Sequence, residues 1–335
     1  MSTLLDGQFG MKVESTPNTP VTVDRFYEIL PDSTHNWGHE RVQGVGLRVG
    51  SLYPRSARST AGVGKGEFTI KAELQSKAFG VLLGAVATTV STNVSGATYQ
   101  QLSTSAFTAT YRSAYTCQFG VPRTDGTVDA YSYAGCVPTS FEIDAPERGV
   151  PTISVSWWAQ SLATATALAT ASYASAPTIY TDSASAAGTT FGGTITAPTT
   201  TALASGGTAS TNIRSWTLSV DLGVNERPAL GSWQRPTFGA PSATLSIVQD
   251  YDATTTRALQ ISQGATSFTG YYTGAALSAG TEGFYVVIPT MKCDDGALGQ
   301  ITAGEGSVPD VSFTVMDNLT DAAWYLVNRT ADTAL

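Results

Sequence analysis

Apolar and polar residues alternate with a period of two through several short stretches of this chain. Each such stretch predicts a strand with one face in a core and the other toward water. In residues 67–74, Phe68, Ile70, Ala72 and Leu74 share one face, and Glu67, Thr69, Lys71 and Glu73 share the other. Residues 139–144 set Phe141 and Ile143 against Glu142 and Asp144. Residues 152–158 put Ile153, Val155 and Trp157 together, and Ile213–Asp221 does the same with Trp216, Leu218 and Val220. Further strands are predicted at 115–121, 243–248, 284–289, 311–316 and 323–328. Residues 76–86 differ: Phe79, Leu82, Leu83 and Val86 fall at helical spacing, with Ser76 as the N-cap.

The order of these pieces recurs. The first pass reads hairpin, strand, short helix at 76–86, strand at 115–121, a glycine turn at Gly135 and Cys136, then two strands. The second pass offers 243–248, 254–261, 284–289, a turn near Gly304 and Gly306, and 311–316. This reading sets Phe68 against Leu245 and Val155 against Phe313. It divides the chain into a first β module over 1–160, a connecting meander over 161–212 and a second module over 213–335. A duplicated β module suits a ring or tube in which each copy takes an equivalent seat. Each module also carries an arm. The first is a hairpin over 41–66 with Arg48, Arg55, Arg58 and Lys65, punctuated by Gly62, Gly64 and Gly66. The second spans 223–241 with Arg227 and Arg235. The meander holds one charged residue, Asp182, yet apolar punctuation at Tyr173, Ile179, Tyr180, Phe191 and Ile195 predicts short strands rather than a free linker.

Composition sharpens this picture. The chain has 335 residues, room for one large or two ordinary domains. Only 13% of residues are charged, against ~25% in a typical soluble domain. Thr/Ser-rich faces with so little charge suit surfaces that meet other subunits. The net charge is −8, so phosphate neutralisation by clustered Lys and Arg is excluded as a binding mode. Residues 1–12 lack the apolar core of a secretory signal, and no apolar run approaches membrane-span length. Cys117, Cys136 and Cys293 are odd in number and lack metal-ligand spacing, so free thiols are expected, with a Cys117–Cys136 disulfide disfavoured.

Candidate chemistry is sparse. His35 and His39 stand four apart, but Asn36-Trp37-Gly38 between them reads as a polar loop, and no third histidine completes a zinc site. The Gly62–Gly66 run lacks the Lys-Ser/Thr ending of a phosphate loop and precedes a strand. Glu142/Asp144 and Asp294/Asp295 read as a solvated strand face and a turn, the latter with too few ligands in view for calcium. No nucleophile motif is present. The chain is therefore read as a non-enzyme without cofactor or metal. Trp37, Trp158 and Trp233 are read as surface aromatics, fit either for a glycan platform or for subunit contacts.

Several stretches resemble the tail tube proteins (major tail proteins) of long-tailed, non-contractile (siphophage-type) bacteriophages. These are Gly10-Met-Lys-Val-Glu-Ser-Thr-Pro-Asn-Thr-Pro, Lys77-Ala-Phe-Gly-Val-Leu-Leu-Gly-Ala-Val, Gly120-Val-Pro-Arg-Thr-Asp-Gly with Tyr131-Ser-Tyr-Ala-Gly-Cys-Val-Pro-Thr-Ser-Phe-Glu-Ile, and Tyr285-Val-Val-Ile-Pro-Thr-Met-Lys. The likeness spans most of the chain and is weakest over 161–212. It implies a mainly β fold of tail-tube β-sandwich or barrel modules with short flanking helices. It implies stacked rings whose inner strands close a barrel around the exiting DNA. The implied partners are further copies of the chain, a tape measure protein, and tail terminator or distal tail proteins. The implied location is the virion tail, assembled in the host cytoplasm, with no membrane. Two modules per chain favour three chains per pseudo-sixfold ring over six.

On this reading Glu67, Glu73, Glu142, Asp144 and Asp310 are candidates for the lumen face, and the apolar faces form two cores. The arm residues Arg48, Arg55, Arg58, Lys65, Arg227 and Arg235 are candidates for contacts between rings. The rival expectation is an extracellular β-sandwich binding protein, a glycan-binding module or adhesin.

Overall fold

A computed structural model describes residues 7–46, 49–50, 53–105, 113–182, 187–250, 255–296 and 310–332. The turn expected near Gly304 and Gly306 and the arm residue Arg48 lie outside the described residues. The first strands are β1 (Gln8–Val13), β2 (Arg25–Tyr27), β3 (Thr34–Gln43) and β4 (Ser59–Glu73). Helix α1 (Gly80–Val86) follows, then β5 (Thr88–Ser95), β6 (Thr98–Thr104), β7 (Tyr115–Pro122), β8 (Val128–Ala145), β9 (Thr152–Ala159) and β10 (Ser161–Ala163). The connecting segment holds β11 (Ala187–Phe191), β12 (Ile195–Thr196), β13 (Ser205–Gly206) and β14 (Ala209–Ser210). Next come β15 (Ile213–Asp221), β16 (Val224–Ala229), β17 (Ser232–Phe238), β18 (Ser242–Gln249) and helix α2 (Thr255–Ser262). The chain closes with β19 (Ala265–Ala276), β20 (Thr281–Asp295), β21 (Val311–Val315) and β22 (Tyr325–Thr330). The fold is mainly β, with large antiparallel sheets and two short helices.

The expected strands form, and their alternation sets their faces. Burial in β4 switches residue by residue from Gly66 onward, with Phe68, Ile70 and Ala72 inside. One antiparallel run crosses the molecule in the order β3, β4, β9, β8, β15, β18, β21, β20. The pairings β3–β4–β9–β8 and β15–β18–β21–β20 follow the same order. They also share irregularities. A bulge in β8–β9 falls after Pro138↔Trp157, and one in β20–β21 falls after Cys293↔Phe313. The β7–β8 bulge lies between Tyr115 and Cys117, and the first of two in β19–β20 lies between Thr266 and Phe268. This register sets Trp157 against Phe313 and Val155 against Val311, two residues away from the match expected from sequence.

Beneath the run lie second layers. On one side β2, β1, β7 and the first half of β8 bring Phe9, Phe119 and Tyr133 onto Phe68, with ring centroids 6.4, 5.2 and 5.2 Å away. On the other, β19, β20, β22, β6 and β5 bring Phe268 to 5.5 Å from Trp216. The two expected cores are one continuous cluster. Pairing of β8 with β15 places Phe141 beside Val220, so no seam separates the halves.

Three local expectations fail for identifiable reasons. The helix begins at Gly80 because Ala78 holds φ at 68°, outside the helical region. Ser76 is no cap: its Oγ accepts from the Thr178 backbone N–H at 3.0 Å. Gly135 and Cys136 form no turn. They lie inside the 18-residue β8, which bends at the Gly135 φ of 66° while Glu14, 5% exposed, accepts from the Gly135 N–H.

Residues 161–212 are anchored largely by glutamine side chains. Gln118 bonds the Ala167 carbonyl and the Ala169 N–H, and Gln8 bonds the Ala169 carbonyl. Gln100 donates to the carbonyls of Thr199 and Ala202. Beyond these, β10 pairs with β8 and β11 pairs with β19, so the segment ties both halves together.

Candidate functional site: the polar face of the long run and its two arms

The face of the run opposite the core is built from the other half of each alternation. Glu67, Thr69, Lys71 and Glu73 on β4 stand beside Ser154 and Ser156 on β9 and Glu142 and Asp144 on β8. Thr217, Ser219 and Asp221 on β15 continue it, and Thr314 on β21 with Lys292 and Asp294 on β20 complete it. Hydroxyls fix the carboxylates across strands. Thr217 Oγ1 donates to Asp144 at 3.0 Å, Ser219 Oγ to Glu142 at 2.9 Å and Thr314 Oγ1 to Asp294 at 2.6 Å. Thr69 and Ser156 share a hydroxyl bond of 3.0 Å. Lys71 is paired with Asp32 at 3.3 Å, so it adds little free positive charge. The structure brings Glu67, Glu73, Glu142 and Asp144 onto this one face, and exposed Asp310 stands just before β21 in phase with Ser312. Asp221 and Asp294 belong with them. The alternation of Ile213–Asp221 already carried the signal for Asp221.

Such a surface is small, hydroxylated and acidic. A polyanion sliding along it meets repulsion rather than a Lys/Arg cradle, within a screening length of ~10 Å at 0.1 M salt.

The arms grow from one end of the run. The β3–β4 hairpin carries the first, stitched by Arg58 Nη1 to the Gly46 carbonyl at 3.1 Å and by Gln43 to the Arg55 and Arg58 carbonyls. The hairpin β16–β17 is the second, with Arg227 facing Gln234 and Arg235 beside it. It leans back over the end of β4 and β9. Lys65 Nζ lies 2.8 Å from both Glu226 and Glu67. Burial opposes the Lys65 charge, but the hydrogen bonds it donates to Glu226 and Glu67 outweigh that and raise its pKa.

The tryptophans are not the surface aromatics expected. Trp158, on the polar side of β9, is 1% exposed because the Trp233 ring covers it edge-on at 5.9 Å. Trp37 is half-buried and donates to His39 Nε2. The His35/His39 stretch is strand β3, not a loop. His35 stacks on Phe119 at 4.9 Å and bonds the Tyr133 hydroxyl, and burial lowers its pKa. Among the described residues no group of three or more His, Cys, Asp or Glu could hold a metal ion. The cysteines are free and buried. Burial, then the Cys117 hydrogen bond, raises the Cys136 thiol well above its ordinary value, and burial pushes Cys293 up to about 11. Among the described residues no helix is long and apolar enough to cross a membrane.

Residues 5–316 match the sequence model of phage tail tube proteins. The chain belongs to the phage tail tube protein family. No curated protein sequence matches it. A phage tail tube protein is a structural component of the virion tail and assembles with itself into the tube.

Proposed function

We propose that this tail tube protein forms the tube of a long, non-contractile phage tail. Rings of three chains stack, and the polar sheet face lines the lumen through which DNA is ejected. The carrying observation is the repeated strand order with its repeated bulges, which supports two tube modules per chain: 1–160 and 213–335, joined by 161–212. Inside the chain β8, which ends the order β3–β4–β9–β8, pairs with β15, which begins the next. The same junction between copies joins β20 to β3 of the next chain, since β3 has β4 alone as a partner among the described strands. In that register Gly38 stands beside Asp295 of the neighbouring copy. Three runs joined in this way close a barrel, which leaves no sheet edge exposed.

Glu67, Glu73, Glu142, Asp144 and Asp310 then face the DNA without binding it. The arm tips, with Arg48, Arg55, Arg58, Arg227 and Arg235, reach the next ring, while Lys65 braces the base of the second arm. Tape measure protein fills the lumen before ejection, and terminator and distal tail proteins close the two ends. Assembly takes place in the host cytoplasm. Glu73→Lys, Glu142→Lys and Asp144→Lys together are expected to leave tubes intact and slow ejection. Ejection at the wild-type rate from intact tubes would remove the lumen assignment. The glycan-binding alternative loses its platform, because Trp158 and Trp233 cover each other.

A further inference from the structure

The second arm has a seat, and the register of the two modules points to a second copy of that seat. On the first module the seat is the arm end of β4 and β9. There Glu226 meets Lys65 at 2.8 Å, Trp233 covers Trp158 at 5.9 Å, and Gln160 Nε2 donates to the Trp233 carbonyl at 2.7 Å. The pairing Gly38↔Lys65 corresponds to Asp221↔Ser242, and Val137↔Trp158 corresponds to Lys292↔Thr314. Ser242 and Thr314 therefore hold, on the second module, the positions of Lys65 and Trp158 on the first.

Among the described residues no arm lies there. A groove of about 780 Å³ is found instead, lined among others by Ser242, Thr314, Asp317, Leu319, Asp321 and Trp324. Leu319 is 94% exposed at its rim.

The first arm has the matching base. A bulge between His39 and Arg41 on β3 answers one between Asn225 and Arg227 on β16. Each bulge holds a glutamate followed by an arginine: Glu40-Arg41 and Glu226-Arg227. The first arm exposes Val42, Val45 and Tyr53. Its Arg41, at the base, complements Asp317 and Asp321 of the groove. The second arm leans from β15 across β8 onto β9 and β4, and the same lean carries the first arm off β3, away from its own chain's groove and toward a copy beyond the β3 edge.

We infer that the base of the first arm seats in the groove beside β18 and β21 of a neighbouring copy in the same ring, with Glu40 over Ser242. This rests on the ring reading above. It gives each arm a lateral seat at its base and leaves its tip for the adjacent ring. It also makes each lateral contact between chains a copy of the contact inside the chain.

The test is a short bis-maleimide applied to assembled Glu40→Cys/Ser242→Cys protein, since the three native cysteines are buried. Lys65→Cys/Glu226→Cys is the positive control for reach within one chain. Cross-linked dimers and larger species at least tenfold above either single variant are the expected result. Rings that form without that ladder, while the control cross-links, overturn the seat and leave the tube reading intact. Wild-type protein that forms no rings overturns the ring reading and the seat with it. Should the double variant alone fail to assemble, Val42→Cys/Thr314→Cys decides by the same criterion.

Discussion

Phe68 is the sharpest probe of which sheet face is the core. It is 3% exposed. Its ring lies between Trp157, stacked at 5.8 Å, and the rings of Phe9, Phe119 and Tyr133 at 5.2–6.4 Å. These neighbours sit on four different strands, so the site has little freedom to collapse after truncation. Phe68→Ala is expected at the costly end of large-to-small changes, about 3–5 kcal/mol. That is a large share of a stability of roughly 5–15 kcal/mol, and it lowers the melting temperature by on the order of 10 °C. Phe68→Asp adds a buried carboxylate with no cation among those rings, and it is expected to prevent assembly by unfolding the first module. Glu67→Gln, one residue away on the opposite face, is the control and is expected to change stability by no more than ~0.5 kcal/mol. Calorimetry of the purified variants, with electron microscopy of any tubes, reads both. Tubes of wild-type stability from Phe68→Asp, or an equal loss from Glu67→Gln, would refute the assignment of faces.

Other outcomes follow from single contacts. Trp233→Ala removes an edge-on aromatic pair worth ~0.5–1.5 kcal/mol and uncovers Trp158, so tryptophan emission is expected to shift to the red; unchanged emission would show that the arm does not cover Trp158. His35 has its pKa lowered by burial, so the folded state holds it neutral. The stability this gives is complete above the ordinary value of ~6.5 and falls as pH drops through the lowered one. Melting temperature is expected to decline from pH 7 toward 5, and His35→Gln to flatten that slope; an unaltered slope would place the titration elsewhere. Removing the tip of either arm is expected to leave soluble rings or protomers that fail to stack. Normal-length tubes from that variant would exclude the tips from ring stacking.

The strands were legible wherever one face is buried, because alternation then has a single explanation. Ile213–Asp221 and the strands around Phe68, Val155 and Phe313 show this. The bend in β8 was not legible: a bulge and Gly135 interrupt the period, so one strand reads as a turn between two. β5 was missed because small polar residues fill it and neither face is fully buried. The start of α1 depends on the φ of Ala78, which no spacing rule encodes. At the candidate site, the carboxylate face was readable from parity alone. The burial of Trp158 was not, since its cover comes from an arm 75 residues further along the chain. The paired Glu40-Arg41 and Glu226-Arg227 gave a signal for the arms that only the shared bulge makes interpretable.

With two tube modules proposed in each chain, three chains build a six-lobed ring. End-on class averages of the purified protein by electron microscopy, combined with the mass of a single ring, test it directly. Hollow rings of three chains with six lobes are the predicted result. Rings of six chains would contradict the claim, and a monomer that never assembles would contradict the tube reading altogether.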